Sequence, residues 1–276
     1  MNTPDRTAPR RVDVAAADGL DPAMPELAAL RPAAPSDLAP TVLVRVGLAD
    51  EYFTAQAGVG PIFVAYNGRG VSATAPADRP EGADAFEAAF ITRFGRTIRA
   101  AKRPESGVVG RVGRALADGR PHGLAFDLRG LTDFSTDVLE GALTIPPGEI
   151  RPYAWLAREV GRPKAVRAVG TALGHNPIPI LIPCHRIVRS DGLVGDYAWG
   201  SETKRRALAA EGLDPDEIER LAKHGERYVG SDTTHIVCLP TCRYAKRVTE
   251  RHRIPFASLG AAESAGYRGC KVCRPA

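Results

Sequence analysis

Four of the five cysteines stand in two close pairs near the end of the chain, Cys238-x3-Cys242 and Cys270-x2-Cys273, with 27 residues between the pairs. No other feature constrains the fold as much. Four thiolates can close a tetrahedral shell around one ion, and to do so the two ends of the intervening segment must meet. Zn2+ is the ion such a donor set selects, and it holds together a segment too small to bury a good core of its own. The plain reading of these residues is a structural zinc finger. The fifth cysteine, Cys184, stands apart, followed by His185 at the end of the apolar run 178–182. An odd count divided in this way fits one thiol plus a metal site better than a disulfide framework.

Charge singles out the same region. Residues 223–276 hold ten Lys/Arg against four Asp/Glu, a net of +6, so the rest of the chain sits at −1 although the whole carries +5. A compact basic segment is a candidate surface for a polyanion, and a merely solvated face is its alternative. At 276 residues the chain has room for two or three domains. No run of about 18 apolar residues is present, and the N-terminus lacks a basic stretch followed by an apolar one. The expectation is a cytoplasmic chain with no membrane partner.

Residues 1–39 are rich in Ala, Pro and Asp with no sustained period, which predicts a disordered leader. Val42-Leu43-Val44 and Pro61-Ile62-Phe63-Val64-Ala65-Tyr66 have strand texture, and Asn67-Gly68-Arg69-Gly70 before Val71-Ser72-Ala73 is a hairpin turn. Phe86, Ala89, Phe90 and Phe94 predict a helix over 84–98; a short helix over 108–116 and a strand over 124–128 follow. This α/β module, 40–130, shows no chemical constellation and reads as scaffold. A second module runs over 131–213. Pro152 starts a helix over 153–160, Gly161-Arg162-Pro163 makes a tight turn, and a second helix covers 164–173. On that second helix Val166, Val169 and Leu173 share one face, opposite Lys164, Arg167, Thr171 and His175. Two short helices joined by a Gly-containing turn, the second with a basic face, fit helix-turn-helix DNA binding. A linker is expected over 214–223 and a zinc domain over 224–276.

The string Pro163-Lys164-Ala165-Val166-Arg167-Ala168-Val169-Gly170, with Asn176-Pro177-Ile178-Pro179-Ile180-Leu181-Ile182-Pro183-Cys184-His185-Arg186, closely resembles the O6-alkylguanine-DNA alkyltransferases over about 134–212. The resemblance implies flipping of a damaged guanine out of duplex DNA and irreversible, single-turnover transfer of its alkyl group to Cys184. A free thiol is mostly protonated near neutral pH, so Cys184 needs a base. The family supplies one in His185, acting through a water, with Glu211 orienting the imidazole. It further implies that Arg167 enters the duplex, Tyr153 presses on the rotating phosphate, Lys164 faces DNA, Asn176 holds the turn before the active-site strand, and Tyr197 hydrogen-bonds the departing base. Each of these has a duller reading as a surface cation, a core aromatic or a turn residue. Departures from the family pattern are Trp199, a bulky ring expected to narrow the pocket toward methyl adducts, Pro152 in place of a hydroxyl residue, and Glu140-Gly141 in place of a more apolar pair.

Thr233-Thr234-His235-Ile236-Val237-Cys238-Leu239-Pro240-Thr241-Cys242 and Ala265-Gly266-Tyr267-Arg268-Gly269-Cys270-Lys271-Val272-Cys273 resemble the zinc domain of Ada-type methylation-response proteins. There the first cysteine, here Cys238, accepts a methyl group from a DNA phosphotriester while bound to zinc. Thr234, Arg243, Lys246 and Arg247 are the expected DNA-facing residues, while His235 and Leu239 depart from the family pattern. The expected whole is an α+β monomer: an α/β N-terminal module, a helical alkyltransferase domain with a helix-turn-helix, and a zinc-bound C-terminal domain. It binds one Zn2+ and double-stranded DNA carrying alkylated bases, with O4-alkylthymine left open as a further substrate. Two other classes compete with this expectation, a lesion sensor that performs no chemistry and a zinc-dependent DNA-binding regulator.

Overall fold

The computed structural model describes residues 38–80 and 82–275. Except for its last two residues, the expected leader therefore lies outside the described part. The remainder is α+β. Strands β1 (Ala49–Ala57), β2 (Gly60–Asn67), β3 (Gly70–Pro76) and β4 (Thr97–Ala100) form one sheet in the order β3-β2-β1-β4, antiparallel except for the β1–β4 pair. Alternation along β2 divides its side chains between two layers. Ile62, Val64 and Tyr66 enter the large core, whereas Phe63 and Ala65 pack with Tyr52, Ile98 and the aromatic face of α2 (Gly82–Phe94), Phe86 and Phe90. The expected hairpin is present, with Asn67 opposite Gly70.

Several expectations for this module are corrected. Val42-Leu43-Val44 lies in a helix, α1 (Leu38–Arg45), not a strand. Gly47 at φ +75° lets the chain close that helix, with Gly47 N–H donating to the Val44 carbonyl (3.1 Å) and Leu48 N–H to that of Leu43 (2.8 Å). A local stop of this kind outweighs the β propensity of two valines. The helix expected over 84–98 ends at Phe94, where Gly95 caps it and frees 97–100 to pair with β1. Residues 124–128 make a single bridge, Phe126 to Val71, and no strand. Strand β1 has no counterpart in the sequence reading.

Beyond the sheet, α3 (Ser106–Asp118), α4 (Asp133–Leu143), α5 (Tyr153–Glu159), α6 (Val166–Gly174) and α7 (Ser201–Ala210) close over one apolar interior. Val64, Val112, Leu139, Leu156, Val169, Ile182 and Cys184 are all members of that interior. Each large aliphatic side chain buried there stabilises the fold by about 1.5–3 kcal/mol. The core runs across residue 130, so the sheet and the later helices complete each other. Strands β5 (Arg151–Pro152) and β6 (Ile187–Val188) tie the two sides of the Cys184 segment in parallel.

The linker expected over 214–223 is instead a helix, α8 (Pro215–Lys223). Asp214 caps it by accepting from the N–H groups of Asp216 (3.0 Å) and Glu217 (3.1 Å), and Arg205 of α7 pairs with Glu219 at 3.2 Å. Asp-Pro followed by acidic residues is a helix-start signal, and here it dominates. Strands β7 (Tyr228–Ser231), β8 (Ile236–Cys238), β9 (Arg253–Phe256) and β10 (Arg268–Gly269) then form a second sheet ordered β10-β8-β7-β9, with α9 (Leu259–Ser264) beside it. Gly230 is required in β7, since a Cβ there would stand 2.6 Å from the Tyr267 ring and 2.7 Å from that of Phe256. Among the described residues no helix is long and apolar enough to cross a membrane.

Candidate active site and metal centre

Pro179 within the run 178–182, with Pro177 and Pro183 on either side, denies it the N–H groups of a regular strand, and the expected active-site strand is a sequence of tight turns. Ile180 takes φ +73°, a strained value for a β-branched residue, and Ile182 N–H reaches back to the Ile178 carbonyl (2.9 Å). Cys184 then opens a 3-10 turn, Cys184–Arg186. With about three residues per turn, successive side chains diverge by a third of a circle instead of half of one. Cys184 and His185 therefore leave the backbone in directions that a strand would forbid.

Cys184, buried, lines a cavity of ≈ 250 Å³ together with Tyr153, Gly170, Leu173, Gly174, Asp196, Tyr197 and Ala198. Its Sγ accepts a hydrogen bond from Asn176 Nδ2 (3.1 Å), and the same amide donates to the Ile182 carbonyl (3.1 Å) while Asn176 Oδ1 accepts from Ile178 N–H (2.9 Å). Asn176 thus holds the turn and contacts the thiol. Burial pushes the Cys184 thiol up, and Asn176, Tyr197 and the Lys204 cation offset this only partly. A thiol in that state needs a base.

His185 and Glu211 are brought together: Nε2 is 2.9 Å from Glu211 Oε1, and both groups are largely enclosed. Burial works against ionising Glu211, but hydrogen bonds from His185 and Arg186 outweigh it and hold its pKa at about 2. Burial lowers His185. A neutral ring beside a carboxylate donates through Nε2, which leaves Nδ1 as the lone-pair nitrogen. That Nδ1 is buried with no protein partner. Arg186, 2% exposed, donates to both Glu211 oxygens (2.7–3.0 Å) and to the Ile145 and Gly119 carbonyls (2.6 and 2.7 Å). It fixes the carboxylate against the ring, a positioning role that the sequence reading did not assign.

Tyr197 lies against the thiol and its hydroxyl is buried without a well-aligned hydrogen-bond partner, so it is available to a bound base. Trp199 is not among the residues that line the cavity; it meets Tyr197 edge-on with ring centroids 6.3 Å apart. The expected narrowing by Trp199 is therefore not direct. Arg167 is exposed on the side of the second helix away from the core, as its periodicity predicts, while Val169 and Leu173 are buried; the helix starts at Val166 and not at 164, so Lys164 is exposed in the turn before it. Tyr153 faces the cavity from α5.

Lys204 was missed altogether. It is 1% exposed, its Nζ donates to the Ile187 (2.6 Å) and Asp196 (3.3 Å) carbonyls, and burial lowers its pKa to about 8. Its spacing to Ala207 and Leu208, three and four residues on, places it on the apolar face of α7 and could have revealed it.

Cys238, Cys242, Cys270 and Cys273 are all buried, and their Sγ atoms lie within 4.8 Å of one another. Zn–S bonds of about 2.3 Å place tetrahedral sulfurs about 3.8 Å apart, so a modest contraction accommodates the ion. Leu239 N–H points at Cys273 Sγ and Val272 N–H at Cys270 Sγ, both at 3.4 Å, as thiolate acceptors invite. Hydrogen bonds with Cys242 and Cys273, followed by burial, push the Cys238 thiol far up, so full ionisation of the cluster calls for a cation. The residues fit Zn2+. Cys238 also lines a cleft with Thr234, Arg247, Arg251, Arg268 and Lys271. Two of the four expected DNA-facing residues are thus beside Cys238, and Arg251, Arg268 and Lys271 are additions. Lys246 points elsewhere, its Nζ donating to the Gly148 carbonyl, whereas Arg243 donates only its backbone N–H to Glu149 and holds its guanidinium 5.3 Å from the ring centre of Tyr244, which itself lines the cleft. The Lys246 amine and the Arg243 backbone thus meet the loop 146–150 beside Glu211.

Residues 133–213 match the family model described as 6-O-methylguanine DNA methyltransferase, DNA binding domain, and residues 220–276 match the metal binding domain of Ada. These two segments belong to those families. Over 85 residues the chain is 49% identical to a methylated-DNA–protein-cysteine methyltransferase of Mycobacterium tuberculosis, covering 31% of this chain and 51% of that protein. Over 91 residues it is 46% identical to the bifunctional transcriptional activator/DNA repair enzyme Ada of Escherichia coli, covering 33% of this chain and 25% of that protein. The chain therefore spans about half the length of the first of these relatives and a quarter of the second. The crystal structure of Mycobacterium tuberculosis OGT in complex with DNA aligns with 62% of this chain and 98% of its own, at 33% identity and a TM-score of 0.46. The methyltransferase segment holds Cys184, His185 and Glu211, and the Ada segment holds all four clustered cysteines.

Proposed function

We propose that this protein reverses DNA alkylation directly, by moving the alkyl group of O6-alkylguanine in duplex DNA onto Cys184. The observation that carries this reading is a lone thiol lining a cavity, hydrogen-bonded by Asn176 and followed by a His185–Glu211 pair at 2.9 Å. His185 Nδ1 takes the thiol proton through a bridging water. The thiolate then attacks the alkyl carbon, the S–C bond forms, the C–O6 bond breaks and guanine leaves with the electron pair. Tyr197 O–H supplies a proton or hydrogen bond to the departing base, which makes it a better leaving group. Arg167 on the exposed face of α6 fills the space of the flipped nucleotide, with Tyr153 against the phosphate and Lys164 on the backbone. Because the S–C bond of the thioether is too strong to return Cys184 to a free thiol unaided, each chain acts once.

Incubating the protein with duplex DNA labelled in the O6-methyl group tests this. Label is expected on the protein up to one per chain, with none on Cys184→Ala. Binding of the lesion without transfer would favour a sensor that performs no chemistry.

A second transfer, from a methylphosphotriester to Cys238, is favoured by the placement of that cysteine in a cleft with Arg247, Arg251, Arg268 and Lys271. Zinc, when bound, keeps the thiolates ionised and the sulfur electron-rich. The protein works as a monomer in the cytoplasm on double-stranded DNA.

A further inference from the structure

The loop 146–150 touches both chemical centres. On one side Gly148 N–H donates to Glu211 Oε2 (3.0 Å), the carboxylate whose other oxygen meets His185. On the other side it is gripped by the turn around Cys242. Gly148 O accepts from Lys246 Nζ (3.1 Å), Ile150 N–H donates to Thr241 Oγ1 (2.9 Å), and Glu149 Oε1 accepts from Arg243 N–H (3.2 Å). Glu149 is 3% exposed and its second oxygen pairs with the equally buried Arg151 at 2.5 Å. A buried carboxylate satisfied from both sides fixes the loop in one position. Gly148 itself has φ +67°, and a Cβ there would stand 3.1 Å from the Glu211 carbonyl, so the loop lies directly against the residue it supports.

The other cysteine pair makes a second attachment. Just after Cys273, the carbonyls of Arg274 and Pro275 accept from Arg158 Nη2 (2.6 and 3.0 Å), Arg274 pairs with Glu159, and its guanidinium lies 5.8 Å from the Trp155 ring centre. All three partners are on α5, the helix that carries Tyr153 into the Cys184 cavity. Residues adjoining Cys242 and Cys273 therefore hold the loop under Glu211 and the helix over Cys184. The four-cysteine cluster is what fixes those two turns relative to each other.

We infer that the Ada-type segment is a positioning device for the alkyl-acceptor site, so that metal loading of the four cysteines sets the rate of transfer to Cys184. The inference rests on Cys184 being the acceptor. Thr241 is its most specific lever, since it is not a metal ligand, lies outside the Cys184 cavity and makes a single hydrogen bond across the seam.

The test compares wild type, Thr241→Val and Thr241→Ser, each assayed for bound zinc, for amide hydrogen exchange at Gly148 and Ile150, and for single-turnover transfer from duplex DNA containing O6-methylguanine. Thr241→Val is expected to keep its zinc, to lose protection at both amides, and to lower the first-order transfer rate at saturating DNA about three- to tenfold, as loss of one hydrogen bond implies. The DNA concentration at half-saturation should not change, and Thr241→Ser should restore the rate. Wild type stripped of zinc by a chelator should show the same loss of amide protection and at least the same slowing. An unchanged rate in Thr241→Val despite faster exchange, or in the stripped wild type, overturns the coupling. A wild type that transfers no methyl to Cys184 overturns the proposed function itself, and the rate coupling with it.

Discussion

Glu211 accepts from His185, from Arg186 through Nε and Nη2 in three contacts, and from Gly148, and Glu211→Gln keeps its shape while removing the charge. The folded-state pKa is depressed, from 4.5 to about 2, so the stabilisation is fully present above about 4.5 and is lost as the pH falls toward 2. At 1.36 kcal/mol per pH unit the depression corresponds to ~3 kcal/mol at neutral pH. Counted instead as a buried pair that loses one partner and leaves Arg186 without a counter-charge, the same loss is about 3–5 kcal/mol. Urea unfolding of Glu211→Gln and wild type across pH 2–7 is expected to show a deficit of ~3 kcal/mol at pH 7 that shrinks as the pH is lowered. Its transfer rate to Cys184 should fall about ten- to hundredfold, less than the roughly hundred- to ten-thousandfold of losing a general base outright, because His185 remains and only its orientation is loosened. A deficit below about 1 kcal/mol that does not vary with pH would refute the reasoning, because the carboxylate would then not be ionised and paired as described.

Other consequences are open to direct measurement. Arg167→Ala should weaken binding to lesion-containing duplex while leaving transfer from a free O6-alkylguanine base unchanged; an equal loss on both substrates would place Arg167 outside the DNA-facing role. Arg247→Ala and Arg268→Ala should each reduce the salt dependence of DNA binding by about one phosphate contact, whereas Lys246→Ala should not, since its amine is held by the Gly148 carbonyl. Methylating one of four zinc-bound thiolates changes the cluster from −2 to −1, which adds one positive charge to a basic segment, so methylation of Cys238 should raise DNA affinity, most visibly at low salt. Identical affinities before and after methylation would remove that electrostatic link. Cys242→Ser should bind well under one zinc per chain and unfold residues 228–275 first, read as early loss of amide protection there.

Where local chemistry decides the outcome, the sequence was informative. The faces of α6 follow from Val166, Val169 and Leu173 against Arg167 and Thr171, and the cysteine spacing leads to four sulfurs within 4.8 Å. It misled where a glycine or proline overrode a propensity, as at Gly47 after Val42-Leu43-Val44 and at Asp214-Pro215 in the expected linker. It was silent where position depends on distant elements. The spacing to Ala207 and Leu208 puts Lys204 on a buried face, but nothing near it announces that its amine will lie among the carbonyls of Ile187 and Asp196, and nothing near Lys246 shows that its amine will meet the Gly148 carbonyl while Arg247 beside it lines the Cys238 cleft. Such contacts depend on how two modules meet. The scaffold, read as chemically empty, likewise conceals a buried network: Asp50 accepts from Asn67 (2.8 Å), Ser72 (2.6 Å) and Arg96 (2.8 Å), and Asn67 continues it to Asp127 at 2.8 Å. Its members come from β1, the 67–72 hairpin, Arg96 and Asp127, a combination that no local pattern displays.

Mass analysis of the protein after incubation with duplex DNA containing O6-methylguanine bears most directly on the proposed chemistry. Trypsin releases residues 168–186 as one peptide whose sole cysteine is Cys184. That peptide should carry one added methyl group, fragmentation should place it on the Cys184 sulfur, and the DNA should hold unmodified guanine in equal amount. An unmodified 168–186 peptide alongside repaired guanine, or a methyl group found only on another residue, would show that Cys184 is not the acceptor.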